Sequence, residues 1–237
     1  MSTTGTLPED LEALRRIDSC ALSNAIGLLN VRPRNEGFIH GTVHCMFPGL
    51  PAVVGYAVTG RMRSSSPPIS GRCYYDHVEW WRYLASVPAP RIVVVLDADD
   101  PPGSGALFGE LHARISMAMN SVAYITNGAV RDLPAIEKLG FQLFAGNSSV
   151  SHAYAHMADF GHPIELGGLR IHSGDLLHGD FHGIQSIPLE IAKRLPALAT
   201  EALRDEQAFI EMCIDGSFSV ERLAAKIREH AEAQKCK

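Results

Sequence analysis

Hydrophobic and polar positions repeat along the chain with two different periods, and these periods predict its helices and strands. Apolar residues between Glu9 and Leu29 recur at helical spacing, which predicts a helix in one or two pieces. Aliphatic and β-branched runs predict buried strands at 52–62, 91–96, 122–126 and 142–144. Helical stretches lie among these strands at 74–86, 105–119 and 133–139. This alternation is typical of a mostly parallel sheet covered by helices.

The pattern changes after Gly161, where short apolar segments are separated by glycine turns. Four segments predict hairpin strands that form a second, antiparallel layer, at 164–166, 169–171, 175–178 and 184–187. Helices follow from about 189, with a break at Pro196 and a last helix capped by Ser219. Residues 1–8 predict a flexible tail, and no linker or repeat divides residues 9–237, so we expect a single domain.

Composition and charge narrow the class of protein. The chain has 237 residues, which is enough for one sizeable core, and its net charge is −5. A nucleic-acid partner is not expected, because phosphate binding needs a basic surface. The longest aliphatic run, 92–96, is far too short for a membrane span, and residues 1–8 lack the features of a signal peptide. The five scattered cysteines argue against a disulfide framework and predict a reducing, cytoplasmic location.

Two charged segments after predicted strands form the candidate site. The segment Gly109-Glu110-Leu111-His112 follows an acidic loop and lies near the start of a predicted helix. The pair Arg131-Asp132 lies in the turn between a strand and the helix 133–139, with twenty residues between Glu110 and Arg131. Ligands of open α/β sheets bind beyond the carboxyl ends of strands, so we expect the two segments to meet there.

The residue types in these segments indicate a site for an anionic carbonyl compound. Arg131 is a planar fork suited to a carboxylate or a carbonyl oxygen. Asp132 is a hard oxygen ligand for Mg²⁺ or Mn²⁺, which keep several waters. Backbone N–H groups of Leu111 and His112 can hold a carboxylate, and Glu110 can move a proton through water. In the plainer interpretation, Arg131 and Asp132 form a surface ion pair and Asp132 caps the next helix.

The order of these motifs resembles the regulator of ribonuclease activity A (RraA-like) family. Its members include metal-dependent 4-hydroxy-4-methyl-2-oxoglutarate/4-carboxy-4-hydroxy-2-oxoadipate aldolases. The resemblance starts from Gly-Glu-Leu at 109–111 and Gly-Ala-Val-Arg-Asp at 128–132. It extends to Val-Gly-Tyr-Ala-Val-Thr at 54–59, Phe-Ala-Gly at 144–146 and the glycine-rich hairpin at 173–183. Together the similar segments cover roughly residues 11–196.

The resemblance implies an α/β fold, a compact β/β/α sandwich of the swivelling-domain type in a single domain. It implies assembly into homotrimers or hexamers, with sites between protomers. It assigns the metal to Asp132 and waters, contact with the keto acid to Arg131, and proton transfer through water to Glu110. Backbone amides at Leu111 and His112 would contact the substrate carboxylate. The substrate-binding residues would then be Gly109, Leu111, His112 and Arg131.

The implied reaction is carbon–carbon cleavage of a small 2-oxo acid. It is aldol cleavage of a 4-hydroxy-2-oxo acid to pyruvate, or decarboxylation of an oxaloacetate-like acid, with Mg²⁺ or Mn²⁺. A lysine Schiff base is the other way to stabilise the electron pair that the broken carbon–carbon bond releases. None of the five lysines follows a predicted strand, however. The family's aldolases carry Asp in place of Glu110 and Leu in place of His112. Its non-enzymatic regulators keep Glu and Arg-Asp, so a regulator that binds a ribonuclease or another protein is the alternative.

Two other kinds of site have weaker support in the sequence. Glycines at 103, 105 and 109 form an imperfect dinucleotide pattern, and the nearby Asp97, Asp99 and Asp100 would repel a pyrophosphate. Histidine pairs four residues apart suggest zinc, but none carries the metalloprotease glutamate; the pairs are His40/His44, His152/His156 and His178/His182. His178 and His182 lie in a predicted turn, where hydrogen bonds to the backbone are the commoner use.

Overall fold

The computed structural model describes residues 8–69 and 78–235. The helices in these residues are α1 (Pro8–Arg15), α2 (Ser19–Leu28), α3 (Val78–Ser86), α4 (Glu110–Ala118), α5 (Leu133–Leu139), α6 (Leu195–Ile214) and α7 (Val220–Lys235). The strands are β1 (His44–Cys45), β2 (Val53–Arg63), β3 (Arg91–Asp97), β4 (Ala106–Phe108), β5 (Ser121–Ile125), β6 (Ala129–Val130), β7 (Gln142–Ala145), β8 (Asn147–Ser148), β9 (His156–Phe160), β10 (Ile164–Leu166), β11 (Leu169–Ile171), β12 (Leu176–Asp180) and β13 (Gly183–Ile187).

The main sheet combines a parallel centre with antiparallel edges. Its order is β1-β7-β5-β3-β2-β12-β13, and β9 also pairs with β2. Strands β7, β5, β3 and β2 run parallel, as the helix–strand alternation predicted. The central strand β3 reads Ile-Val-Val-Val at 92–95 because both of its faces are buried.

Each face of this sheet is covered by a different layer. On one face, Val93 and Val95 pack in a cluster with Trp80 of α3 and with residues of α4 and α5. On the other face, Ile92 and Val94 pack in a cluster with residues of the two-stranded β10–β11 hairpin. The layers are therefore helices, sheet and hairpin, which is the β/β/α sandwich that the resemblance implied.

A small second parallel sheet, β4-β6-β8, was not predicted. The sequence predicted a helix at 105–119, but residues 106–108 form β4 and α4 begins at Glu110. Three consecutive apolar residues in a buried segment suit either a strand or a helix, and here pairing of β4 with β6 decides the outcome. This small sheet positions the candidate site.

Three further expectations need correction. The hairpin β12–β13 joins the main sheet beside β2, whereas only β10–β11 forms the separate antiparallel layer. Pro196 lies in the first turn of α6, so it begins that helix instead of breaking one. Pro8, placed in the tail, begins α1. The other tail residues, and residues 74–77 of the predicted helix 74–86, lie outside the described part of the chain.

Side-chain caps are found at the starts of α2 and α7, near the two ends of the chain. The first helical stretch is in two pieces, because Asp18 begins α2 as an N-cap, accepting the N–H of Ala21 at 2.8 Å. Ser219 accepts the N–H of Arg222 at 3.2 Å before α7. In the described residues no helix is long and apolar enough to cross a membrane.

Candidate active site

The two predicted segments meet because they leave neighbouring parallel strands. Phe108 of β4 lies in register with Val130 of β6, and the chain then continues into Gly109-Glu110 and Arg131-Asp132. The N–H of Arg131 donates to the carbonyl oxygen of Phe108 at 3.0 Å. The predicted meeting is thus found, at the end of the small sheet instead of the main one.

Asp132 has an unusual backbone conformation that aims its carboxylate at α4. Its φ of 58° and ψ of 32° lie in the left-handed region, which is uncommon for a residue other than glycine and recurs at functional sites. One carboxylate oxygen, Oδ2, accepts the N–H of Glu110 at 3.1 Å, and Oδ1 accepts the Nε–H of Arg131 at 3.2 Å. The predicted ion pair is present. The capping interpretation needs correction, since Asp132 precedes α5 but makes no side-chain cap there.

Because Gly109 has no side chain, the Asp132 carboxylate can lie against its backbone. A Cβ on Gly109 would lie 2.6 Å from Oδ2 of Asp132 and 3.0 Å from Cγ of Arg131. Its own backbone is extended, with φ of −145°, so another residue would meet no conformational strain. The glycine is therefore needed for close approach, a contact that no local sequence pattern predicts.

Glu110 lies on the open side of the first turn of α4. Its Oε1 accepts hydrogen bonds from Nε and Nη2 of Arg114, at 2.8 and 2.7 Å. The side chains of Glu110, Arg131 and Asp132 keep 39%, 31% and 38% of their surface exposed, so solvent and a ligand can reach all three. Arg114 is the additional charged residue that sequence reasoning missed, although its four-residue spacing from Glu110 indicated it.

Leu111 and His112 occupy the same turn but their side chains face opposite ways. Leu111 is exposed, whereas His112 is buried and packs near Trp81 and Phe108, with ring centroids 5.8 and 6.0 Å apart. Burial, with a smaller contribution from the charge of His152, lowers the pKa of His112 to about 4. The expectation that the His112 side chain faces the substrate therefore needs correction. The predicted role of its backbone amide stays a prediction.

Two reciprocal hydrogen bonds join the chain segments at the ends of β3 and β5, next to the site. The N–H of Asp97 donates to Oδ1 of Asn127 at 2.7 Å, and Nδ2 of Asn127 donates back to the carbonyl oxygen of Asp97 at 3.0 Å. The buried Asp97 carboxylate accepts the N–H of Gly103 at 2.7 Å, and burial raises its pKa. Because a carboxylate already occupies the Gly103 amide, this loop does not offer that amide to a pyrophosphate.

Of the histidines that suggested zinc, His178 has a structural role. His178 lies in β12 and not in a turn; it is fully buried, and its Nε2 lies 2.9 Å from the carbonyl oxygen of Ile17. Its Nδ1 lies 3.1 Å from Oγ of Ser19. Within residues 8–69 and 78–235, no three histidine, cysteine or acidic side chains are grouped as ligands of a metal ion.

A hydrated Mg²⁺ or Mn²⁺ nevertheless fits the residues at Asp132. A carboxylate offers about four acceptor positions, and Asp132 uses one per oxygen for Glu110 and Arg131. The remaining positions lie on a side chain that is more than one third exposed. Mg²⁺ commonly takes one or two carboxylates and keeps its waters, so a three-ligand cluster is not required.

Comparison with known proteins assigns the family. The model of the RraA-like family, described as Aldolase/RraA, matches residues 19–185, so the chain belongs to this family. It is 26% identical over 121 residues, 51% of the chain, to a Halalkalibacterium halodurans protein named "Putative 4-hydroxy-4-methyl-2-oxoglutarate aldolase". It is 22% identical over 199 residues, 77% of the chain, to Protein DlpA of Legionella pneumophila. The matched parts span only 57% and 28% of these two relatives.

Solved structures support the same fold. An uncharacterised protein from Pseudomonas syringae pv. tomato superposes with a TM-score of 0.71 at 20% identity, covering 92% of this chain and 94% of that one. Streptomyces coelicolor RraAS2, titled an unusual member of the RNase ES inhibitor RraA protein family, gives a TM-score of 0.67 at 19% identity, covering 89% and 100%. At these identities the likeness establishes the fold alone.

Proposed function

We propose that this protein is a divalent-metal-dependent carbon–carbon lyase acting on a small 2-oxo acid. The observation that carries the proposal is the left-handed Asp132, whose exposed carboxylate lies against Gly109 and beside Arg131. Its carboxylate offers oxygen ligands to a divalent cation, and the arginine and the helix N-terminus beside it offer N–H donors to an anion. The substrate would be a 4-hydroxy-2-oxo acid, or an oxaloacetate-like acid that loses carbon dioxide.

The acidic and basic groups of the site would bind different parts of the metal–substrate complex. Asp132 would hold Mg²⁺ or Mn²⁺, which supplies a Lewis acid for the negative charge that develops on the keto oxygen. Arg131 would bind the carboxylate or the keto oxygen of the same substrate with its planar guanidinium. The N-terminal turn of α4, at Leu111 and His112, would add backbone N–H donors to that carboxylate.

Glu110 would act as the proton carrier. In aldol cleavage the proton of the 4-hydroxyl group leaves, the C3–C4 bond breaks, and its electron pair moves to the C2 carbonyl. Protonation at C3 then gives pyruvate. Glu110 is exposed on the substrate side of the turn and can exchange this proton through a water molecule. These steps do not require a lysine Schiff base.

The site would be completed by a second protomer in a homotrimer or hexamer. The exposed side chains at 110, 131 and 132 lie at an open end of the small sheet, whereas small-molecule sites usually bury most of the ligand. A neighbouring copy that covers this end would exclude water from the reaction.

A pyruvate-release assay tests the proposal. Oxaloacetate and 4-hydroxy-4-methyl-2-oxoglutarate are each supplied with Mg²⁺ or with EDTA, and pyruvate is followed with lactate dehydrogenase. We expect metal-dependent pyruvate from at least one acid and its loss in Arg131→Ala. If wild-type protein releases no metal-dependent pyruvate from either, the lyase proposal is wrong and a regulator that binds a protein partner becomes the better interpretation.

A further inference from the structure

The charged groups around the site continue one turn along α4. Glu110 and Arg114 lie one turn apart on the exposed side of the helix, together with Leu111, whereas His112 and Ala113 are buried. Arg114 keeps 58% of its side-chain surface exposed. The site therefore contains two arginines, Arg131 at its inner end and Arg114 at its outer end.

Only part of the Arg114 guanidinium is used by Glu110. A single oxygen, Oε1, accepts both hydrogen bonds, from Nε and from Nη2. A guanidinium carries five N–H donors, so about three remain after these two hydrogen bonds. The remaining donors include the two N–H groups of Nη1, which are suited to an additional carboxylate in the plane of the guanidinium.

The two arginines lie on either side of the first turn of α4, an arrangement that suits a five-carbon dicarboxylate. Hydrogen bonds of 2.8 and 2.7 Å hold the Arg114 guanidinium beside Glu110, whose own N–H donates at 3.1 Å to the carboxylate that Arg131 pairs with. In a substrate with carboxylates at C1 and C5, four bonds of about 1.5 Å place these groups about 5 Å apart when extended. A substrate whose C1 carboxylate lies at Arg131 and the N-terminus of α4 would therefore reach Arg114 with its distal carboxylate.

We infer that Arg114 is a specificity-determining residue that binds the distal carboxylate of a dicarboxylic 2-oxo acid. This inference rests on the proposed function for the position of the first carboxylate. It adds a preference: acids with a second carboxylate at C5 bind better than acids of the same length that end in a methyl group. Glu110 holds the Arg114 side chain over the outer face of the turn, so that the guanidinium is oriented before the substrate arrives.

Binding of two uncleavable probes tests this preference without relying on catalysis. 2-Oxoglutarate and 2-oxopentanoate share five carbons and a 2-oxo acid head, differ in the distal carboxylate, and lack the 4-hydroxyl group. Their affinities for the full chain with Mg²⁺ are measured by calorimetry. We expect wild-type protein to prefer 2-oxoglutarate by about fivefold, the upper end of what one exposed charged contact contributes.

The matched variants are Arg114→Gln and Arg82→Gln. Arg82 forms a similar exposed ion pair with Glu79 on α3, so its substitution removes the same charge elsewhere. We expect Arg114→Gln to reduce the preference to within about twofold, Arg114→Lys to keep part of it, and Arg82→Gln to leave it unchanged. An unchanged preference in Arg114→Gln, equal weakening of both probes, or no binding of either probe by wild-type protein would overturn the inference.

The same variants separate this inference from the proposed function. If wild-type protein discriminates between the probes through Arg114 but releases no pyruvate from any 4-hydroxy-2-oxo acid, the lyase proposal fails and the binding preference stands. If wild-type protein cleaves such acids but Arg114→Gln discriminates as wild type does, the lyase proposal stands and the role of Arg114 is refuted.

Discussion

Substitution of Gly109 by alanine perturbs the candidate site through one methyl group. The new Cβ would lie 2.6 Å from Oδ2 of Asp132, where ordinary contact begins near 3.4 Å, so the carboxylate must retreat by about 0.8 Å. The retreat breaks its 3.1 Å hydrogen bond with the N–H of Glu110. Because Asp132 is partly exposed, we expect a loss of only about 1 kcal/mol in the free energy of unfolding.

The expected effect on metal binding and catalysis is much larger than the effect on stability. A misplacement of about 1 Å at a catalytic group can cost on the order of a hundredfold in rate. We therefore expect Gly109→Ala to remain folded, to bind Mn²⁺ at least tenfold more weakly by electron paramagnetic resonance, and to release pyruvate at least tenfold more slowly.

Gly49→Ala is the matched control for this substitution. A Cβ on Gly49 meets no atom within 4 Å, so we expect wild-type stability, Mn²⁺ affinity and activity. If folded Gly109→Ala bound Mn²⁺ and released pyruvate as wild-type protein does, the position of the Asp132 carboxylate would not matter. The reasoning from close approach would then be refuted.

Three further substitutions test separate parts of the account. Arg131→Lys keeps the positive charge but not the planar guanidinium. We expect the Michaelis constant for 4-hydroxy-4-methyl-2-oxoglutarate, measured by initial rates, to rise about tenfold. An unchanged Michaelis constant would show that Arg131 does not bind the substrate. His112→Phe removes a buried imidazole whose pKa is lowered from 6.5 to about 4, so in wild-type protein the folded state binds fewer protons than the unfolded state between about pH 4 and 6.5. Wild-type stability should therefore fall as the pH falls from 7.5 to 5, with His112 contributing about 2 kcal/mol of that fall, and urea unfolding of His112→Phe should show a correspondingly smaller loss; equal losses would contradict a buried, neutral His112. Asn127→Ala removes the reciprocal hydrogen bonds to Asp97, and we expect about 1–3 kcal/mol of destabilisation by urea unfolding, which Asn35→Ala on an exposed loop should not cause.

The sequence predicted the parallel centre of the main sheet because hydrophobic periodicity is strong there. The run Ile-Val-Val-Val at 92–95 is buried on both faces, and such runs have few alternatives to a central strand. The same signal fails for Ala106-Leu107-Phe108, where three apolar residues leave the period undefined. Only the long-range pairing with Ala129-Val130 makes this segment a strand, and local patterns carry no information on that pairing.

The residues of the candidate site, the meeting of its two segments and the Arg131–Asp132 ion pair could be predicted, but its other contacts could not. Glu110, Arg131 and Asp132 were selected by chemistry and spacing, and the structure brings them together. The left-handed backbone of Asp132 was not predictable, since this conformation is rare outside glycine. Likewise, the inward orientation of His112 follows from which side of α4 faces Trp81, and that depends on tertiary packing.

The most direct measurement compares two matched carboxylates for metal-dependent pyruvate release. Asp132 pairs with Arg131 and Asp159 pairs with Arg61, both at 3.2 Å and with 38% and 41% of the aspartate side chains exposed. Each is changed to asparagine, the protein is stripped with EDTA, and Mg²⁺ is added back with 4-hydroxy-4-methyl-2-oxoglutarate or oxaloacetate. The account predicts that wild-type protein and Asp159→Asn regain pyruvate release, whereas Asp132→Asn does not. Full recovery in Asp132→Asn would contradict the assignment of the metal to Asp132, and the absence of metal-dependent pyruvate in wild-type protein would contradict the lyase function itself.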